Sequence, residues 1–252
     1  MKLHFLSGGR LRMRRSIYQP DAAKDEMIEL PVSCALIRHP QGNVLFDTGC
    51  NPQAAADPEG RWGSLARVMT PIFDANDTIV PQLAGLGLQP GDIDIVVCSH
   101  LHPDHCGCNE AFRQAKIMCH AAEVETAKAD GADKQGYLPQ EWDQPNGFAT
   151  FHQRHDVFGD GRIVLVPLPG HTPGTAGALV QLDRDGRFLL AADAAPMRSS
   201  LDGVMPKNNW NQEFAAASIA EIRRLEAEGA TVIFGHDDAQ WAALRKGRDF
   251  YA

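Results

Sequence analysis

Asp94-Ile95-Val96-Val97-Cys98-Ser99-His100-Leu101-His102-Pro103-Asp104-His105 is the stretch that decides how this chain is read. Asp94–Ser99 carries a short apolar run, as a strand buried on both faces does. Directly after it come four potential metal ligands, His100, His102, Asp104 and His105, within six residues. Neither an ordinary core nor a solvated surface needs that grouping. In a turn at a strand end, residues i and i+2 point the same way, so His100 and His102 converge on one ion. Pro103 fixes the backbone as the chain turns, which aims Asp104 and His105 at a second position.

Three further candidates stand in turn-like settings: His171 in Gly170-His171-Thr172-Pro173-Gly174, Asp193 after Phe188–Ala192, and His236 in Phe234-Gly235-His236-Asp237. Alone, His171 reads as a satisfied polar residue, Asp193 as a turn residue and His236 as a loop residue. Beside the His100–His105 cluster they gain weight together, because each follows an apolar strand, and His171 and His236 each have Gly next to them. Asp193 is the natural bridge, since a carboxylate has two oxygens and a charge that offsets two cations held ~3.5–4 Å apart. Such a pair shares a hydroxide, because a metal-bound water's pKa falls to about 7. One ion then polarises a carbonyl while the other takes the leaving oxygen. Imidazole and carboxylate together suit zinc, and also manganese, iron or cobalt. Asp47, in Asp47-Thr48-Gly49, has two open readings: the end of a tight turn, or a carboxylate that orients a ligand histidine from behind.

The chain has 252 residues, 44% of them hydrophobic and 22% charged, as in ordinary globular proteins. A formal charge of −8 argues against nucleic-acid and anionic-membrane partners, which call for basic patches. Arg10, Arg12, Arg14 and Arg15 are the local exception, read as a solvated edge or, more weakly, an anion contact. The six cysteines are expected to be reduced thiols in a cytoplasmic protein, because Met1–Leu6 runs into Ser-Gly-Gly-Arg with no apolar stretch of signal length. Cys106 and Cys108 follow the ligand cluster, but the histidines and Asp104 already meet the coordination demand. His152 and His155 read as surface residues, with a secondary metal or lid contact as the sharper alternative.

Strands are expected over Met1–Leu6, Ile28–Arg38, Val44–Asp47, Asp94–Ser99, Lys116–Cys119, Arg162–Leu168, Thr175–Leu182, Arg187–Ala192 and Thr231–Phe234. Helices are expected over Ile79–Leu86, Ala121–Ala129, Ala215–Glu228 and Ala239–Lys246. Residues Asn51–Ala75 look irregular, with a short helical pattern near Leu65–Met69. The segment 130–155 interleaves turn residues with Tyr137, Leu138, Trp142, Phe148 and Phe151, which suits a lid over a pocket, or a surface excursion that packs its own cluster. The layout is two strand-rich halves, with ligands from both. It suggests two sheets packed face to face, helices outside and a site along the shared edge.

The pieces Asp47-Thr48-Gly49, Ser99–His105, Gly170–Gly174, Asp193 and Gly235-His236-Asp237 resemble, in order, those of the metallo-β-lactamase superfamily. The resemblance implies a single domain over 1–252 in a four-layer αββα sandwich. Leu30-Pro31-Val32, Phe46–Gly49 and Phe234–Asp237 look most like the N-acyl homoserine lactonases. That likeness implies two zinc ions, one held by His100, His102 and His171, the other by Asp104, His105 and His236, with Asp193 between them. It implies that Asp104 shuttles the proton from an attacking metal-bridging hydroxide to the departing alkoxide. A small-molecule lactone as substrate and a homodimer are also implied. Other hydrolytic chemistry on the same metals (thioester, phosphodiester or β-lactam cleavage) is the alternative. A di-iron redox protein is a weaker one, because such relatives usually show a carboxylate at the place of His102. The lactonases usually carry a tyrosine three residues after the bridging aspartate, where this chain has Pro196. Tyr137 and Tyr18 are the candidates to replace it. Tyr137, Trp142, Phe148 and Met197, with Phe73, are candidate walls of a substrate pocket.

Overall fold

The computed structural model describes residues 1–252. In chain order its strands are β1 (Lys2–Arg14), β2 (Met27–His39), β3 (Gly42–Phe46), β4 (Thr70–Pro71), β5 (Ile95–Val97), β6 (Lys116–His120), β7 (Ala149–Phe151), β8 (His155–Asp156), β9 (Ile163–Pro167), β10 (Ala176–Gln181), β11 (Arg187–Ala192) and β12 (Ala230–Phe234). The α-helices are α1 (Pro52–Ala56), α2 (Pro58–Trp62), α3 (Ile79–Gly85), α4 (Pro103–Cys106), α5 (Ala121–Ala127), α6 (Pro139–Trp142), α7 (Arg198–Leu201), α8 (Gln212–Ala227) and α9 (Asp238–Ala243). One sheet has the order β4-β1-β2-β3-β5-β6-β7 and the other β12-β11-β10-β9-β8.

Side chains alternate faces along a strand, and here both faces are apolar. Cys34 and Leu36 of β2 join Leu45, Val96, Ile117 and Cys119 in a core that also takes Ile79 and Leu83 of α3 and Val124 and Ala127 of α5. Their neighbours Ala35, Ile37, Val44, Phe46, Ile95, Val97 and Met118 point the other way, into a core completed by Leu165, Ala178, Val180, Phe188, Leu190 and Ile233 of the second sheet. The outer face of that second sheet, through Val166, Leu189, Ala191, Val232 and Phe234, packs on Ile219, Ile222 and Leu225 of α8. The layers are therefore helix, sheet, sheet, helix: the αββα sandwich. Leu36 and Ile37, successive on β2, are both fully buried on opposite faces. Truncating either to Ala should cost about 2–5 kcal/mol.

Several boundaries differ from expectation, for local reasons. β1 continues to Arg14 through a bulge between Ser7 and Arg10, where Gly9 has φ +110°. The expected strand end at Leu6 falls just before this bulge. Residues 51–62 are helical rather than irregular, because Asn51 and Asp57 cap α1 and α2 through their side chains. α8 begins at Gln212, where Asn211 accepts from the amides of Glu213 and Phe214. Arginines in and just after β1 pair with acids: Arg10 with Asp238 at 2.8 Å, Arg12 with Glu29 at 2.8 Å and, past the strand end, Arg15 with Glu26 at 3.0 Å. No helix is long and apolar enough to cross a membrane.

Candidate metal centre

The ligand candidates all leave strand ends on one rim of the sandwich. β5 delivers Ser99–His105, β3 delivers Asp47, β11 delivers Asp193, β12 delivers His236, and the β9–β10 connection delivers His171. Two non-glycine residues there have left-handed backbones, Asp47 (φ 59°) and Ala192 (φ 44°), the second directly before Asp193. Such strain persists where the surroundings over-determine it and clusters at functional sites. Gly235 is required by close approach: a Cβ there would lie 2.8 Å from Asp193 Oδ1.

The side chains form three groups whose ligand atoms lie within 4.8 Å of one another: His100, His102 and His171; Asp104, His105 and His236; and His100, His105 and Asp193. Asp193 faces both of the first two. Its Oδ2 is 3.4 Å from His171 Nε2, while its Oδ1 is 3.3 Å from His105 Nε2 and 3.0 Å from His236 Nε2. Asp104 Oδ2 stands 3.5 Å from His105 Nε2 and 3.6 Å from His236 Nε2.

The rings are oriented from behind. His105 Nδ1 lies 2.9 Å from Asp47 Oδ2, and His236 Nδ1 lies 2.8 Å from the carbonyl of Pro31. His102 Nε2 lies 3.1 Å from the carbonyl of Gln135. Carbonyls and carboxylates only accept, so each of these nitrogens carries the proton and the other keeps a lone pair. Asp47 also accepts from the Ser99 amide at 2.7 Å and hydroxyl at 2.8 Å. It thus both closes the turn and backs His105.

The lone pairs converge. His102 Nδ1 is 3.1 Å from both His100 Nε2 and His171 Nε2. In the second cluster His105 Nε2, His236 Nε2 and Asp193 Oδ1 are buried with no hydrogen-bond partner. Buried polar atoms are seldom left so, and acceptors aimed at one another fit a cation between them. Charge agrees. Burial disfavours an imidazolium at His105, yet Asp104, Asp193 and Asp47 outweigh it and push its pKa well up. Asp193 is held well below the usual carboxylate range, because His236, His105 and His171 outweigh its burial. His100 is pushed down by burial and by His105 and His102; burial also lowers His171, to about 4, against the pull of Asp193. The carboxylates therefore favour positive charge at the centre, while His100 and His171 stay neutral donors.

Cys106 and Cys108 take no part. Their thiols donate to the carbonyls of His102 and Cys50, at 3.2 and 3.1 Å. His155 stacks on Phe151.

Beside His102 and Asp104 opens a cleft of about 240 Å³, with Met13, Ile17, Leu65, Val68 and Met69 as its apolar wall and Lys134, Gln135, Gly136 and Asn208 on its polar side. Of the expected wall residues, Trp142 and Phe148 pack instead in the core under α3 and α5, and Phe73 packs against Gly9. Met197 lines a separate cavity next to His236. Tyr137 is buried with its ring 5.3 Å from that of His102. Of residues 130–155, Lys134, Gln135 and Gly136 rim the cleft, whereas Ala149–Phe151 adds an edge strand to the first sheet. Two residues had no sequence signal: Glu123, a buried carboxylate behind the first cluster, and the cleft's Met13.

The chain belongs to the metallo-beta-lactamase superfamily, whose model matches residues 27–242, and is a metal-dependent hydrolase within it. It is 32% identical to the N-acyl homoserine lactonase AttM of Rhizobium radiobacter, over 100% of this chain and 99% of the relative. It is 32% identical to the N-acyl homoserine lactonase AiiB of Agrobacterium fabrum (strain C58), over 92% and 89%. A solved N-acyl homoserine lactone hydrolase, with the product N-hexanoyl-L-homoserine bound at its catalytic metal centre, superposes with a TM-score of 0.90. That alignment covers 99% of this chain and 98% of the other at 26% identity.

Proposed function

We propose that this protein hydrolyses the ester bond of a lactone ring, with an N-acyl homoserine lactone as substrate, in one domain spanning residues 1–252. The observation that carries the reading is Asp193, whose two oxygens are divided between the His171 side and the His105–His236 side of the centre. A lone structural ion needs no such division.

His100, His102 and His171 would hold one cation, Asp104, His105 and His236 the other, and Asp193 both. Zinc suits this nitrogen and oxygen donor set, as do manganese, iron and cobalt. Bound there, the pair supplies Lewis acidity and brings a water to about neutral pKa. The chain's residues do the rest. The apolar wall from Met13 to Met69 takes the acyl tail and excludes water from it. Asp104 lies in the cleft lining, placed to accept a proton from the attacking water. It returns that proton to the ring oxygen as the C–O bond breaks, leaving a hydroxy acid. Asp47 holds the His105 ring in register throughout.

The test is acid release by purified, zinc-loaded protein from a panel of acyl homoserine lactones and simpler γ-lactones. Turnover is expected, and greater with an acyl tail than without one. No release from any lactone, with the metal fully loaded, overturns the reading.

A further inference from the structure

We propose that Tyr18 is a catalytic residue whose phenol donates a hydrogen bond to the substrate's carbonyl oxygen; this rests on the lactone-opening reading above. Tyr18 follows the 3-10 turn Arg15–Ile17 at the end of β1. The segment is pinned from outside: the Lys207 amide donates to the Ile17 carbonyl at 2.7 Å, and Lys207 Nζ to the Pro20 carbonyl at 3.1 Å. The ring is thereby set edge-on to the His236 ring, 6.0 Å between centroids, and is 4% exposed.

What the hydroxyl finds there is unusual. Its one hydrogen-bond contact is Met13 Sδ at 3.4 Å, and a thioether is a weak acceptor. Buried phenols normally find a stronger partner. Met13 and Ile17, the residue Tyr18 touches and the one beside it in sequence, both line the cleft with His102 and Asp104. A carbonyl oxygen entering that cleft is a better acceptor than sulfur. The bond would strengthen as the oxygen gains negative charge, which is the kind of contact that lowers a barrier rather than merely tightening binding.

The other candidate groups are placed less well. Pro196 stands at the strand end where the resemblance leads one to expect a phenol, and its own polar group, the carbonyl, is spent on the His236 amide at 2.8 Å. The Tyr137 hydroxyl is also buried with no hydrogen-bond partner, but the residue packs in the core behind His102 with Val124 and Cys119 rather than beside the His236 ring.

The experiment compares zinc-loaded wild type and Tyr18→Phe on N-hexanoyl homoserine lactone. Loss of one such donor should lower kcat by roughly 10²–10³ with KM little changed, while bound zinc per chain and the thermal midpoint stay as in wild type. Wild-type kcat in Tyr18→Phe, or a rise in KM alone, overturns the role and makes Tyr18 a wall residue. Should the Phe variant fold poorly, fluorotyrosine at position 18 keeps the shape and changes the acidity of the donor. A shift in kcat is then expected, and an unchanged kcat overturns the role. Wild type that opens no lactone overturns the parent reading and this one together, whereas active wild type matched by Tyr18→Phe overturns this one alone.

Discussion

Glu123, wholly buried, accepts a 2.6 Å hydrogen bond from the hydroxyl of Thr172. The same oxygen accepts from the Gly174 amide at 3.0 Å, and the other from the Leu101 amide at 3.0 Å. One carboxylate on α5 thus joins the loop that carries His100 and His102 to the loop that carries His171. The His100–His102–His171 cluster is held together from behind.

Glu123→Gln should test that tie. The amide keeps the shape but turns an NH₂ group toward N–H or O–H donors, leaving about one to three kcal/mol of unsatisfied polar groups. The expected outcome is a lower thermal midpoint and weaker cation binding at the His100–His102–His171 cluster, with the Asp104–His105–His236 cluster retained. Equilibrium dialysis against zinc, read as two classes of site, checks it. Equal weakening of both classes would mean a general loss of structure instead.

Asp47→Asn should act on the other cluster. The carboxylate lies 2.9 Å from His105 Nδ1, and Asn keeps an acceptor but loses the charge that makes the far nitrogen more basic. Metal affinity is expected to fall 10–100-fold, the usual cost of such a backing group, with circular dichroism unchanged. Competition with a calibrated chelator measures it. An affinity within twofold of wild type would reduce Asp47 to its turn role.

The layers of the fold were legible because β2, β3, β5, β6, β10 and β11 are apolar strands bounded by Gly, Pro and Asp, and the seven candidate ligand residues stood out because their turns carry local signals. The cleft was not. Which apolar side chain faces a pocket is fixed by how distant segments meet, so Trp142 and Phe148 look no different in sequence from Leu65 and Met69. β1 extends past the expected end at Leu6 because the bulge at Ser7–Arg10 interrupts the apolar run without ending the strand. Tyr18 and Glu123 lie where nothing local marks them, one after a strand end and one in the first turn of a helix. Their roles exist only through contacts with His236 and Thr172, residues more than forty positions away in sequence.

All six cysteines are free and buried. Burial raises the pKa of each thiol, Cys108 to about 12. Thiolate is the reactive form, so the native protein should react with none of its cysteines over minutes with a disulfide reagent at pH 8. In denaturant all six should react. Rapid native labelling of one cysteine would show that its segment opens locally.

Arg61→Ala should reveal a buried charge that is safe only while paired. Glu141 is fully buried and accepts from Arg61 Nε at 2.8 Å, Arg61 Nη2 at 2.8 Å and Trp62 Nε1 at 2.9 Å. Burial already pushes its pKa above the usual carboxylate range, although Arg61 pulls it down. Without Arg61 the carboxylate is stranded, which costs about 3–5 kcal/mol, and its folded-state pKa must rise further. A folded pKa above the unfolded one means the folded state holds the proton more tightly, so stability is present at low pH and lost as pH rises through the folded value. The variant should therefore lose more stability relative to wild type at pH 7 than at pH 5, as read by urea unfolding at both. Glu141→Gln in the same background removes the titrating group and should abolish that pH difference. A deficit independent of pH in Arg61→Ala would assign the loss to packing of the arginine stem rather than to the charge.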